Sequence, residues 1–136
     1  MDLSIIIVSY NTKKLTLDAI DSIYKQNQGI NLETIVVDNN SQDSSVEELK
    51  KLQNIKLILN KTNTGFAFAN NQAVKIAKGE FILLLNSDTV VKRGALKKLL
   101  DFAKTKQDAG VVAPKLLNAD GSIQPSSLRF PTITNA

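Results

Sequence analysis

The sequence predicts an α/β fold, a three-layer α/β/α arrangement on a mostly parallel sheet. Three observations predict it. Short apolar runs alternate with helical patterns along most of the chain, as βαβ units require. Three of those runs, over 4–8, 34–37 and 81–85, end in polar tips: Ser9-Tyr10-Asn11, Asp38-Asn39-Asn40-Ser41 and Asn86-Ser87-Asp88-Thr89. Open parallel sheets gather ligands at the carboxyl ends of their strands, so three such tips point to one shared site. The length of 136 residues and 43% hydrophobic content suit a single core.

The elements follow in order. A first strand spans 3–8. A helix near 13–26 carries Leu17, Ile20 and Ile23 at spacing three, with Leu15 and Ala19 close to the same side. Gly29 and Asn31 mark its exit. A second strand covers 34–37. A short helix over 44–52 has Val46, Leu49 and Leu52 as its stripe; Asp43 or Ser44 could cap it, and Ser44 with Glu47 has capping-box spacing. Residues 55–59 read as a third strand. A helix from 65 to 77 would bury Phe66, Ala69, Ala73 and Ile76 or Ala77, with Gly79 as its stop. Strand 81–85 is the most apolar segment and reads as fully buried. A helix over 93–104 buries Leu96, Leu99, Leu100 and Ala103. A fifth strand is expected at 111–113, ended by Pro114. Lys115–Leu117 and Ser122–Gln124 flank the turn signal Asn118-Ala119-Asp120-Gly121 and read as a small hairpin. The expected division is an α/β domain over 1–117 and a hairpin and loop tail over 118–136.

Composition narrows the chemistry. The chain has no cysteine and no histidine. That excludes disulfides, thiolate sites, imidazole acid–base steps and His-based triads. Net charge is +4, and no basic block is interleaved with aromatics, so no nucleic-acid partner is expected. The amino terminus carries Asp2 where a secretory signal wants a basic residue, and no apolar run approaches 18 residues. The expected location is cytoplasmic, with peripheral association at the inner face of the membrane compatible with the mild positive charge.

Two acids stand out. Asp38, just past a strand, suits a ribose diol or a base N–H, or else a turn contact within its own loop. Asp88, after the most apolar strand, could hold Mg²⁺ or Mn²⁺ against a diphosphate, or else cap the following helix. A single carboxylate is a weak metal site unless phosphates share the ion. Asn60 to Gly65 opens a helix and could meet a phosphate, although neither a Walker A loop nor a Gly-x-Gly-x-x-Gly fingerprint is present. Asn70 and Asn71 are poor helix formers in a helix interior, and exposure is the simplest reason for them.

The segments Ser4–Asn11, Val36–Ser41, Asn63–Asn71 and Leu84–Thr89 occur in that order and are followed by Pro114–Pro125. This set resembles the family-two glycosyltransferases with the nucleotide-diphospho-sugar transferase (GT-A), Rossmann-like fold, and looks most like their rhamnosyltransferase-type branch. The resemblance implies that Ser9 and Tyr10 line the nucleobase and ribose, that Asp38 contacts them, and that Gly65 lies near the base. It places Asn70 where many relatives carry Arg, and Asn71 on the Asn that follows. Asn86-Ser87-Asp88 falls on the Asp-x-Asp motif. Asp88 matches the acid that coordinates the cation on the diphosphate, and Asn86 replaces the first acid, as in the rhamnosyltransferase-like branch. The implied donor is a UDP-, dTDP- or GDP-linked sugar, the implied cofactor Mg²⁺ or Mn²⁺, and the implied acceptor a glycan or lipid-linked chain of a cell-surface polysaccharide pathway.

Family members are longer, and their second half supplies acceptor contacts and the catalytic base. No Asp or Glu follows Asp120 here. The expectation is therefore a donor-binding half without efficient transfer activity by itself, with no catalytic base named in this chain. The alternative is an inactive nucleotide-binding or assembly module from a truncated glycosyltransferase. A nucleotidyltransferase would want a Gly-rich basic loop after the first strand, where Asn11-Thr12-Lys13-Lys14 stands instead. Leu128, Phe130 and Ile133 would cover some of the apolar surface left by the absent half or join a homodimer contact.

Overall fold

The computed structural model describes residues 1–26, 29–106 and 108–125. Its elements are β1 (Leu3–Ser9), α1 (Lys13–Lys25), β2 (Leu32–Asp38), α2 (Ser45–Leu49), β3 (Ile55–Leu59), α3 (Phe66–Val74), β4 (Phe81–Asn86), α4 (Ala95–Thr105), β5 (Leu116–Leu117) and β6 (Ile123–Gln124). The first four strands form one parallel sheet in the order β3-β2-β1-β4. The last two form the expected antiparallel hairpin.

Side-chain alternation divides the core. Leu3, Ile5 and Ile7 of β1 meet Ala19, Ile20 and Ile23 of α1, Leu49 of α2, and Leu96 and Leu100 of α4. Ile6 of β1 and Ile35 and Val37 of β2 face the other way, onto Ala69 and Ala73 of α3. Helices thus cover both faces, but α3 alone serves the second one.

That imbalance corrects one expectation. β4 is apolar throughout, yet Ile82 and Leu84 are 44% and 50% exposed. They point to the α3 side, where the helix lies over β1 and β2 and does not reach them. Phe66 and Ile76 are exposed for a related reason: small alanines form the contact of α3, and the larger side chains flank it. Leu15 of α1 likewise faces outward.

The fifth strand is also corrected. Residues 111–113 join no strand ladder among the described residues. Val112 instead lines a cavity together with Leu99 and Ala103 of α4, and Pro114, without an N–H, closes the segment. The capping box does not form: Ser44 sits at φ 63° with no side-chain cap bond. Gly79 does not end α3 through a left-handed turn. It lets the chain pass against β1, where a Cβ would lie 2.3 Å from the Ser4 nitrogen. Leu128, Phe130 and Ile133 lie outside the described residues.

At the amino-terminal edge of the sheet Glu33 is buried. Its Oε1 accepts from Ser4 Oγ (2.7 Å) and Lys78 N (2.6 Å), and its Oε2 pairs with Lys56 Nζ at 2.5 Å. Burial pushes this carboxyl up, but Lys56, Ser4 and the Lys78 N–H together outweigh it and hold the group below the ordinary glutamate range.

Candidate functional site

The parallel register gathers the polar tips. Ser9 stands opposite Asp38 on one side of β1, and Val8 stands opposite Asn86 on the other. With strands about 4.8 Å apart, Asp38 and Asn86 flank the tip of β1 roughly 10 Å from each other. The loops after β1, β2 and β4 therefore share one rim.

Two of those loops are fastened together. Asn11 N donates to Ser41 Oγ (2.9 Å), and Gln42 N donates to Asn11 Oδ1 (2.7 Å). Asp43 Oδ2 accepts from Lys13 N at 2.8 Å, and its Oδ1 accepts from Ser45 N (3.1 Å) and Ser45 Oγ. One carboxylate thus caps α1 and α2 together. The Ser45 hydroxyl, then the Lys13 and Ser45 amides, hold Asp43 below the ordinary aspartate range despite partial burial. Among the described residues, the non-glycine residues at positive φ are Asn11 (53°), Asn40 (71°) and Ser44 (63°), all on this rim. Left-handed backbone away from glycine persists where surrounding bonds over-determine it, and it clusters at functional sites.

Asp38 is buried at 1% exposure. Its Oδ1 accepts from Ser41 N (2.8 Å) and its Oδ2 from Ser41 Oγ (2.6 Å). Of the two readings of this acid, those bonds realise the turn contact. A carboxylate offers about four acceptor positions, so capacity for a ligand donor remains. Ser9 is buried, and Tyr10 beside it is 47% exposed, with its ring free to meet a flat ligand.

A hydroxyl cluster that sequence reading missed connects β1 to the β4 turn. Ser9 Oγ lies 3.0 Å from Thr16 Oγ1 and 3.4 Å from Thr12 Oγ1. Thr12 Oγ1 lies 3.1 Å from Thr16 Oγ1 and donates to Ser87 Oγ at 3.3 Å. Ser87 is the middle residue of Asn86-Ser87-Asp88, whose turn is closed by Thr89 N donating to Asn86 O at 3.1 Å. The signal was present as Ser9, Thr12 and Thr16 around the strand-to-helix turn.

Asn86 and Asp88 are exposed. Among the described residues the Asp88 carboxylate takes no hydrogen bond or ion pair. It does not cap α4, whose N-cap is Gly94. Among the described residues no group of three His, Cys, Asp or Glu could hold a metal by itself. One free, exposed carboxylate beside an amide oxygen fits a cation shared with a phosphate ligand, and does not fit a protein-only cage.

The Asn60–Gly65 loop works as a latch. Asn39, 2% exposed, donates from Nδ2 to Gly65 O, and its Oδ1 accepts from Asn60 Nδ2 (2.8 Å) and Thr64 Oγ1 (3.1 Å). Asn60 and Gln72 exchange two amide bonds of 2.9 Å. Gly65 at φ 80° starts α3, so it joins the rim. Asn70, one turn further on, is buried, with Nδ2 donating to Phe66 O (2.9 Å) and Oδ1 without a partner. Asn71 is exposed on the outer side of α3 and does not join the rim cluster.

The chain matches the model of glycosyl transferase family 2 over residues 4–128. It is 36% identical over 134 residues to a poly(ribitol-phosphate) β-glucosyltransferase of Bacillus spizizenii, an alignment that covers 94% of this chain and 21% of that protein. Staphylococcus aureus TarS 1–349, solved with UDP-GlcNAc, superposes with a TM-score of 0.70 at 26% identity, covering 86% of this chain and 40% of that one. A mannosyltransferase of Pyrobaculum calidifontis, solved with GDP-Man and Mn²⁺, gives a TM-score of 0.63 at 27% identity, covering 80% and 33%. The chain therefore spans well under half of each of these proteins. Their names are glucosyl, N-acetylglucosaminyl and mannosyl, and they lend no support to the rhamnosyltransferase-type branch.

Proposed function

The chain belongs to glycosyl transferase family 2, and on that premise we propose that it forms the donor half of a glycosyltransferase acting in cell-surface polysaccharide synthesis. The donor is a UDP-linked hexose or N-acetylhexosamine, in place of the rhamnosyl donor suggested by Asn86. The relatives named as acting on poly(ribitol-phosphate) support a polymeric surface glycan as acceptor. Residues 1–117 are the nucleotide-sugar-binding unit, and the hairpin tail leads toward the acceptor.

The observation that carries this reading is the register, which sets Ser9, Asp38 and Asn86 at one edge with the free Asp88 carboxylate beside them. The Tyr10 ring covers the base, while Ser9, Asp38 and Gly65 form the nucleoside end. Asn86 and Asp88 hold the diphosphate end. A Mg²⁺ or Mn²⁺ ion there would neutralise charge on the leaving diphosphate. Asp88 orients that end, and the hydrogen bond from Thr12 to Ser87 steadies the turn that carries it. Asn70, with its unpartnered Oδ1, supports the site from α3, and Asn71, on the outer side of that helix, is left out of it. The base that deprotonates the acceptor hydroxyl is not assigned to this chain, so the chain alone binds donor and transfers little sugar.

Calorimetric titration of UDP and dTDP, with and without Mn²⁺, tests the proposal. Mn²⁺ is expected to tighten UDP binding at least tenfold, and Asp88→Ala to abolish that gain. A folded chain that binds neither nucleotide overturns the donor site. Metal-enhanced binding that survives in Asp88→Ala overturns the role of Asp88.

A further inference from the structure

The positive charge of this chain is concentrated in one place. Residues 92–106 hold six of the 17 basic residues (Lys92, Arg93, Lys97, Lys98, Lys104 and Lys106) and one of the 13 acidic ones, Asp101. The segment therefore carries +5, and the other 121 residues together carry −1. All six basic side chains belong to exposed residues on α4, at its C-cap (Lys106) or on the turn that leads into it. Only Lys97 has an acidic partner among the described residues, Asp101 at 3.0 Å.

Helix stability explains only part of this pattern: Lys104 in the last turn and Lys106 at the C-cap suit the helix dipole, and the other four do not. The first turn of α4 contains no acidic residue and places Lys97 at the positive end of the helix dipole, with Lys98 next to it. Cations there are unfavourable. Nor is the face purely polar. Phe102 is 50% exposed between Lys98 and Lys106 at spacing four, and Lys106 Nζ stands 5.6 Å from the centre of its ring. Val112 lines one cavity with Leu99 and Ala103 on that flank, and its chain neighbour Val111 is 89% exposed. Val90, 59% exposed, precedes Lys92 on the rim of the candidate site.

We propose that the outer face of α4 docks on an anionic lipid bilayer. Basic side chains interleaved with exposed apolar ones suit an interface that offers both phosphate charge and an acyl boundary. A soluble polyanion would answer the lysines but leave Phe102, Val90 and Val111 without a purpose. Among the described residues no helix is long and apolar enough to cross a membrane, so this contact would be peripheral. Val90 to Gly94 run from the donor rim into α4, so docking there would bring that rim to the lipid surface. The surface is independent of the donor chemistry proposed above.

Flotation of the 136-residue chain with vesicles of phosphatidylcholine, alone or with 30 mole per cent phosphatidylglycerol, tests the proposal. Binding is expected only with the anionic lipid and is expected to fall steeply with salt. One basic residue near such a surface changes partitioning by about fivefold. Lys98→Glu with Lys106→Glu should therefore weaken binding by at least about twentyfold, and Lys98→Gln with Lys106→Gln should reproduce the direction. Lys50→Glu with Lys75→Glu changes net charge equally at exposed positions off this face and should cost far less. Phe102→Ser should weaken vesicle binding severalfold. All these positions are exposed, and circular dichroism establishes that each variant is folded. No anionic binding, or equal loss in the Lys50/Lys75 control, overturns the proposal. So does polyphosphate binding with the same lysine dependence if Phe102→Ser leaves vesicle binding unchanged, which would make this a polyanion site.

Discussion

Asp43 and Thr12 each join loops that are distant in sequence, and each does so with a single side chain. Asp43 accepts the Lys13 amide, 30 residues away, as well as the Ser45 amide. Asp43→Ala removes the side-chain caps of two helices, at about 1 kcal/mol each. The expected loss is about 2 kcal/mol in urea denaturation, and Asp43→Asn should recover part of it. The folded state holds this carboxyl below its ordinary range, so its contribution is present at neutral pH and lost as pH falls through the aspartate range. The Asp43→Ala deficit should therefore shrink on acidification. Asp43 was legible as a cap because aspartate precedes a helical stripe, but its bond to Lys13 was not, since nothing local records which loops will meet. Thr12 was missed altogether. Its hydroxyl reaches Ser87 in the turn that carries Asp88, so Thr12→Val is expected to weaken Mn²⁺-dependent UDP binding several-fold, while Thr12→Ser retains it. Equal loss with and without metal would make Thr12 a general support of the loop and not a positioning residue for Asp88.

Elements were most legible where burial and local chemistry agree. β1 and β2 are covered on both faces and read as continuous apolar runs. α1 and α4 showed their apolar spacing. The Val111–Ala113 segment misled because β-branched residues next to Gly and Pro look like a short strand, whereas Val112 borders a cavity beside α4 and joins no ladder among the described residues. The first of the two acidic residues of β2 was the other surprise. Glu33 sits in the core side of the sheet edge and ties β1, β2, β3 and the approach to β4 through Ser4, Lys56 and Lys78. Removing one member of a buried charged network leaves the others unsatisfied. Glu33→Gln is expected to cost about 2 kcal/mol, less than a fully enclosed pair because Lys56 is partly exposed. Since folding lowers the pKa of Glu33, the native advantage is complete above the ordinary glutamate range and disappears as pH falls through it. The difference in melting temperature between native and Glu33→Gln proteins should be largest near neutral pH and small near pH 3. A difference that stays constant with pH would show that the ionised carboxylate is not the stabilising form.

At the scale of the whole molecule, coverage of the sheet is one-sided, and composition alone hides it. Phe81–Leu85 contains only apolar residues, which predicts a strand enclosed on both faces. The fold instead places three helices over one face and α3 over the other, where α3 contacts β1 and β2 but leaves β4 open. A sequence records that a side chain is apolar, not whether this chain supplies the surface that covers it. Ile6 and Leu84 make the contrast measurable, because they are paired across β1 and β4. Ile6 is fully buried against α3, whereas Leu84 is half exposed. Ile6→Thr should cost about 3 kcal/mol, from lost apolar contact and a buried hydroxyl. Ile82→Thr with Leu84→Thr should cost about 2 kcal/mol in total, less than Ile6→Thr alone, since about half of each side chain already lies in water. Threonine is β-branched like isoleucine and adds β-branching at Leu84, so no position loses strand propensity and the comparison reads burial. Urea midpoints of the three proteins, measured at low concentration, settle the matter. If the double variant loses as much as Ile6→Thr, the second face of β4 is covered in solution and the one-sided arrangement is wrong. If it loses less, the second face of β4 is only partly covered in this chain.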